Sequence, residues 1–361
     1  MKSSNKTICL VSPFPPPYGG MAIQAQKMAF LLRESGFFVI TVRTNTDLPT
    51  GLNFISKVKW LRTILCLLIF LRDLHKTLPQ VDVVYFLTGF FNFFFWITYP
   101  ALILIKLHTK RVILSARGGG AREFFRKYSL LTKPILKRVD TISTPSGFLR
   151  DVFMETLNIE PIVVPNIADL GQFKFRKRFP VHPRLLVTRN LERIYNVECV
   201  VKAFRIVRER FPESVLGIAG DGSRRSALEN LTTDLGLNDC TNFYGRLAHE
   251  EIQKIYDKYD IFVNASNVDN LPGVILEAYA SGLPVVSTCA GGIPYIVGHG
   301  ITGLLVDLDD YQALAERVIQ LVEEPELALN LANNARKECR KYSWEHVKAV
   351  LLPLLESTAK N

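Results

Sequence analysis

Apolar residues in this chain come in short runs that alternate with amphipathic stretches, the strand–turn–helix grammar of a parallel α/β protein. TICLVSPF reads as a strand and PPPYGG as the loop after it. MAIQAQKMAFLLRESG has helical spacing and stops at Gly36, and FFVITVRT is the next strand. VDVVYFL, RVILSA, TISTPS and PIVVPN extend the series. The grammar restarts at RLLVTRN, followed by the helix NVECVVKAFRIVRERFP and the strand SVLGIAGDG with its Gly-rich turn. A helix over SRRSALENLTTDLGL, the strand TNFYGRL, a helix through Tyr259, and the strands DIFVNAS and PVVST complete it. The pattern predicts an α/β chain of two Rossmann-like halves that meet near 166–183, with a terminal helix from Trp344 to about Thr358.

Two segments depart from this grammar. Residues 58–75, VKWLRTILCLLIFLRDLH, form an apolar helix with basic ends. Residues 85–107, YFLTGFFNFFFWITYPALILIKL, are aromatic and uncharged until Lys106. A spanning helix needs about 20 apolar residues, but Gly89, Asn92 and Pro100 interrupt this one. Buried, membrane-touching and spanning readings all stay open. The preferred one is a strand through Leu87 followed by a helix that is buried or faces a membrane.

Composition narrows the class. The 361 residues are 48% hydrophobic and 22% charged, the balance of a globular protein long enough for two cores. The net charge of +10 is uneven: residues 1–165 hold 21 Lys/Arg against 9 Asp/Glu, and the rest 23 against 25. The basic first half is expected to meet something anionic. No nucleic-acid-binding signature supports that class of partner. Six cysteines without C-x-x-C spacing read as reduced thiols of a cytoplasmic protein. The first apolar run, Ile8 to Val11, is shorter than the core of a signal peptide.

The richest chemistry lies in NVDNLPGVILEAYASGLPVVSTCAGGIP, residues 267–294. Asp269 and Glu277 can accept hydrogen bonds from sugar hydroxyls. The loop between them, with Asn270, Leu271, Pro272, Gly273 and Val274, and the later turn Ala290, Gly291, Gly292 can offer backbone N–H groups at helix starts, where the dipole favours anions. A hydroxyl-rich, phosphate-bearing ligand fits this set.

In this order, VVPN, LLVTRNLE, GIAGDGSRRSALE, VNASNVDNLPGVILEAYASGLPVVST, AGGIP and TGLLVDLDD resemble the retaining glycosyltransferase family 4. The resemblance covers nearly the whole chain and is strongest over 185–310. It implies the GT-B fold, two facing Rossmann-like domains with a cleft between them, here 1–168 for the acceptor and 169–340 for the nucleotide-sugar. Residues 341–361 would be a helix able to cross back to the first. It implies a retaining, metal-independent hexosyltransferase whose nucleotide-sugar, UDP- or GDP-linked, is a co-substrate, with no cofactor. The departing phosphate would help deprotonate the acceptor hydroxyl.

By resemblance, Glu277 holds the ribose, Asp269 the transferred sugar, and Arg189 the donor diphosphate. The family usually has a Lys about five positions on; this chain has Ile194 there, with Arg193 beside it as a stand-in. Gly220 and Gly222, with Tyr244 and Arg246, fall where relatives wrap the nucleotide base, and Gly19 and Gly20 match an N-terminal Gly-rich loop. Three departures stand out: Asp269 replaces a Glu, Pro272 replaces a Gly and has no N–H to give, and Arg117, Gly118 and Gly119 occupy a place where relatives often have a His. Arg117 can bind a phosphate but cannot act as a base at neutral pH. The D-x-D at Asp307 to Asp309 reads as a turn and helix start rather than a metal motif.

The basic cluster Arg122, Arg126, Lys127, Lys133, Lys137 and Arg138, with the aromatic run Phe90 to Trp96, points to a membrane-bound or lipid-linked acceptor and peripheral attachment to the inner face of the membrane. Cell-surface polysaccharide or glycolipid assembly fits. The alternative is a non-catalytic sugar-nucleotide-binding subunit of a larger complex.

Overall fold

A computed structural model describes residues 6–17, 19–46 and 59–357. Tyr18, Val58 and Thr358, which the sequence placed in a loop and at two helix ends, lie outside the described residues. The chain divides into two compact units, Met1–Ile167 with Trp344–Asn361, and Ala168–Ser343.

The first unit runs β1 (Thr7–Ser12), α1 (Gly20–Glu34), β2 (Phe38–Arg43), α2 (Lys59–Thr77), β3 (Val83–Thr88), α3 (Tyr99–Leu107), β4 (Arg111–Ala116), α4 (Ala121–Leu136), β5 (Thr141–Thr144), α5 (Gly147–Leu157) and β6 (Ile162–Val163). Its strands form one parallel sheet in the order β2-β1-β3-β4-β5-β6. Every residue of β3 is buried, as expected of a parallel strand covered by helices on both faces. Alternation then sorts the side chains. Ile8, Leu10, Val83, Leu87 and Ile113 face α1, while Cys9, Val11, Val84, Phe86, Val112 and Leu114 face the layer of α2, α3, α4 and α5.

The strand ending near Leu87 and the helix after it are present, but the helix is irregular. Phe94–Thr98 is a π-helix leading into α3. Pro100 has no N–H for the Trp96 carbonyl four residues back, and a wider turn accommodates the missing bond. Among the described residues no helix is long and apolar enough to cross a membrane.

The second unit runs β7 (Arg184–Thr188), α6 (Val197–Arg210), β8 (Val215–Ala219), α7 (Arg225–Asp234), β9 (Thr241–Gly245), α8 (His249–Lys258), β10 (Ile261–Asn264), α9 (Gly273–Ser281), β11 (Val285–Thr288), β12 (Leu304–Val306), α10 (Tyr311–Glu323) and α11 (Pro325–Glu338). Its parallel sheet is ordered β12-β11-β10-β7-β8-β9. The chain starts in the middle, runs to one edge, then returns and runs to the other. The reversal falls between β7 and β10, and in open α/β sheets ligands bind beyond the carboxyl ends of such a pair. β12 is a strand that the sequence reading had left unassigned. Beyond it, Asp310 caps α10 by accepting a hydrogen bond from Ala313 N at 2.8 Å. The terminal helix α12 (Trp344–Glu356) belongs to the first unit, where Val347, Leu351 and Leu355 are buried beside Ile8 and Leu10.

Candidate functional site at the carboxyl ends of the second sheet

Arg189 follows the last residue of β7, and Asn264 ends β10, so the two stand on either side of the reversal. Arg189 Nε donates to Asn264 Oδ1 at 2.9 Å, which ties the strand ends together. Asn264 is fully buried and held in turn by Ser266 Oγ and Ser287 Oγ, each at 2.9 Å. This fixes the guanidinium plane. Its Nη2 donates to Asp269 Oδ2, and its Cζ lies 4.9 Å from the Tyr195 ring centre. Asp269 and Arg189 are thus partners. The Arg189 side chain is 9% exposed and its guanidinium is held on one edge, leaving its Nη1 side free of protein acceptors among the described contacts.

Glu277 sits on the second turn of α9. Tyr256, buried in α8, donates its hydroxyl to Glu277 Oε2 at 2.9 Å and lies 2.7 Å from Thr188 Oγ1. Burial, and then the Glu277 charge, push the Tyr256 pKa well above its ordinary value, so the phenol keeps its proton. It therefore orients one carboxylate oxygen of Glu277.

Two backbone contacts shape the walls. Gly220 has φ +145° and its Cα approaches the Arg189 carbonyl so closely that a Cβ would sit 1.8 Å from that oxygen. Only glycine fits there, and the Arg189 N–H bonds back to Ala219 O at 3.0 Å. At the opposite wall the small-residue turn grips the acidic loop. Gly292 N donates to Asp269 O at 2.8 Å, and a Cβ on Gly292 would stand 1.9 Å from Asn270 O. Pro272 precedes α9 without a side-chain cap, so the first N–H groups of that helix, those of Gly273 and Val274, lack helical partners.

These parts enclose a cavity of about 280 Å³ lined by Thr188, Arg189, Tyr195, Gly220, Arg246 and Glu277 among others. Val274 lines it too. Asp269 meets it through Arg189, and Asn270, Leu271 and Pro272 form the loop behind Asp269. Gly222 and Tyr244 lie outside the lining. Gly222 is in the turn after β8, and the Tyr244 hydroxyl meets that of Tyr259 at 2.9 Å. Arg193 is exposed and lines a different cavity of about 640 Å³ with Lys202, Arg224 and Asp309. That cavity is larger, but Lys202 and Arg224 are both paired with Glu198, and Asp309 accepts from Asn196 Nδ2 at 2.7 Å. The smaller one carries the chemistry.

Sequence reasoning missed Tyr256, Thr188, Asn264 and Tyr195. Asn264 carried a signal, a polar residue ending the apolar run IFV. Tyr256 carried none, since it occupies an ordinary apolar position of an amphipathic helix.

In the first unit Gly19 and Gly20 stand at the start of α1. Arg117, directly after β4, is buried: Nε donates to Ser115 Oγ at 3.2 Å, Nη1 to Asn166 Oδ1, and Nη2 has no hydrogen-bond partner. Burial lowers its pKa, and neighbouring Tyr85 partly offsets this. Gly118 follows with φ +122°, and then Gly119, before α4. Among the described residues no cluster of three or more His, Cys, Asp or Glu could hold a metal.

The family model described as "Glycosyl transferases group 1" matches residues 172–338. A D-inositol 3-phosphate glycosyltransferase of Corynebacterium urealyticum is 32% identical over 174 residues, which is 46% of this chain and 41% of that protein. The chain thus spans less than half of that relative. An uncharacterized glycosyltransferase of Haemophilus influenzae is 25% identical over 77% of this chain and 76% of its own length. Among solved structures, sucrose-phosphate synthase from Thermosynechococcus elongatus superposes with TM-score 0.74 at 18% identity, covering 97% of this chain and 98% of that one. Anabaena HepE in complex with UDP does so with TM-score 0.72 at 16% identity, covering 97% and 99%. The fold is the two-domain, Rossmann-like GT-B fold, and residues 172–338 within it carry the sequence pattern of the group 1 glycosyl transferases.

Proposed function

We propose that this chain is a retaining, metal-independent glycosyltransferase that moves a hexosyl group from a nucleotide-sugar to an acceptor hydroxyl. The observation that carries the reading is the convergence of Arg189, Glu277 and the uncapped start of α9 on one cavity at the sheet reversal. The free side of Arg189 meets the donor diphosphate and stabilises the charge that grows as the phosphate leaves. Glu277, oriented by Tyr256, accepts from ribose hydroxyls. Asp269 faces the transferred sugar while sharing the guanidinium. In the transfer the bond from the anomeric carbon to the phosphate oxygen breaks, the acceptor oxygen bonds to that carbon on the same face, and its proton passes to the departing phosphate.

The names of the relatives support sugar transfer, and the UDP in HepE makes a uridine nucleotide the first donor to try. The acceptor in this reading is a lipid-linked saccharide of cell-surface polysaccharide or glycolipid assembly, met from the cytoplasmic side. A thermal-shift screen of UDP, GDP and their sugars identifies the donor, because a ligand that binds the native state raises the melting temperature. Arg189→Ala and Glu277→Ala then abolish transfer in folded protein. Near-normal turnover in either variant sinks the assignment. Donor binding without turnover, whatever the acceptor, favours the non-catalytic subunit instead.

A further inference from the structure

The aromatic run that the sequence offered as a membrane contact is mostly used inside the first unit. Phe90, Phe91, Phe94 and Phe95 pack around Phe124 with ring centres 5.3–5.6 Å apart. A different set of side chains is left outside. α4 breaks at Tyr128, whose φ of −126° and ψ of 18° are not helical, and whose ring packs on Phe95 at 5.1 Å. Beyond the break, Leu130 is 89% exposed and Leu131 59%. Single exposed leucines need no explanation. These two are adjacent and stand just past the break in α4, which continues to Leu136.

Their surroundings are one-signed. Between Phe124 and Val139 the chain has Arg126, Lys127, Lys133, Lys137 and Arg138 and no acid. None of the five has a carboxylate partner among the described ion pairs, and four of them are exposed, Lys133 being half-buried. The neighbouring helices of the same layer add to the apolar surface. α2 exposes Trp60 (67%), Ile64 and Leu68 (56%) at four-residue spacing, on one stripe, while Phe70 and Leu74 of the same helix are buried. α3 lies next to α2 and exposes Leu107 at 76%. All three helices cover the same face of the sheet, because they pack on the same buried cluster.

We propose that the outer surface of this helix layer is a docking face for an anionic lipid bilayer, with Leu130 and Leu131 as the inserting element and the five cations of α4 as its electrostatic anchor. Apolar side chains ringed by unpaired basic residues are the composition that binds the headgroup region, where neither signal alone holds firmly. A protein partner recognised by charge would be expected to meet mixed or paired charges, whereas a bilayer presents one sign over a wide plane. The proposal leans on the glycosyltransferase reading only for its use, since a lipid-linked acceptor gives the surface a purpose. Binding itself is measured without turnover.

The test is sedimentation of the full chain with phosphatidylcholine vesicles, with and without phosphatidylglycerol, at low and raised salt. The wild type is expected to pellet with the anionic vesicles only, and less as salt rises. Leu130→Glu with Leu131→Glu is expected to lower partitioning at least about tenfold. Arg126→Glu with Lys137→Glu, a second pair at exposed positions, is expected to do the same. Both pairs should keep the wild-type melting temperature and nucleotide-induced shift, which separates loss of docking from loss of fold or of the donor site. The proposal is overturned by wild-type protein that stays in the supernatant, that pellets equally with neutral vesicles, or that pellets undiminished in both variants. Self-association that the variants abolish, in protein that ignores vesicles, overturns it in favour of a second copy as occupant.

Discussion

Gly292→Ala tests whether the small-residue turn sets the position of the acidic loop. The new Cβ would lie 1.9 Å from Asn270 O, 2.8 Å from its C and 3.1 Å from its Cα. All three are backbone atoms, so no side chain can rotate away. Contacts of Cβ essentially never fall below 3.0 Å, so turn and loop must part by at least 1.1 Å. Gly292 itself has φ −86°, so the effect is steric and not torsional. The displacement acts on a short lever. Asn270 adjoins Asp269, which holds Arg189, and Pro272, two residues later, directly precedes α9. A misplacement of this size in a catalytic frame costs roughly 10²-fold in rate. The core under the loop, with Ile275, Leu276 and Tyr279 buried, should keep the unit folded. The assay is kcat/KM for donor turnover, with circular-dichroism melts alongside. Gly171→Ala is the control, because its Cβ would meet nothing within 4 Å. Turnover by Gly292→Ala within about threefold of wild type, in protein with unchanged melting, refutes the idea that this close approach positions Asp269.

Tyr256→Phe removes the hydroxyl that bonds both Glu277 and the buried Thr188; it should destabilise the second unit by about 1–3 kcal/mol and raise the donor KM. A melting temperature within about 1 °C of wild type would show that the network is idle. A pH effect follows from three buried thiols, Cys9, Cys199 and Cys339, whose pKa values burial pushes up to about 12. Thiols in the unfolded chain ionise near 8.5. Native thiols stay protonated there, so their contribution is whole below that pH and is lost as pH rises towards 12, by up to about 1.4 kcal/mol per thiol per pH unit. Melting temperatures should fall steadily between about pH 8.5 and 10, and Cys199→Ala should make the fall shallower for the second unit. A flat profile would contradict the burial argument.

Much of the fold was legible because parallel strands buried on both faces read as uninterrupted apolar runs, such as VVYFLT and RLLVT. β12 escaped because it has only three residues, and LLV before an acidic turn is as consistent with a connector. The π-helix at Phe94–Thr98 was signalled only by Pro100, and a proline alone does not tell a kink from a helix end. The site was legible where backbone chemistry needs a particular residue, as at Gly220 and Gly292. It was illegible where two ordinary residues distant in the chain meet. Arg189 and Asp269 lie 80 positions apart, and nothing in either segment shows that they pair. Tyr256 acts through its hydroxyl alone, while its ring does what any buried aromatic does.

The path of the chain through its two units has a consequence of its own. Residues 168–343 leave the first unit after Ile167 and return to it at Trp344, and Ala168 N bonds Tyr342 O at 3.0 Å, so the second unit's two ends lie side by side. The second unit is therefore an uninterrupted cassette inserted into a host. A host cut short before α12 would lose Val347, Leu351 and Leu355 from its core, whereas the cassette can be lifted out whole. Adjacent ends of this kind are the condition under which one domain can be exchanged within another, so the second unit, and with it the donor specificity that the proposed function gives it, can change by replacement of a single contiguous block.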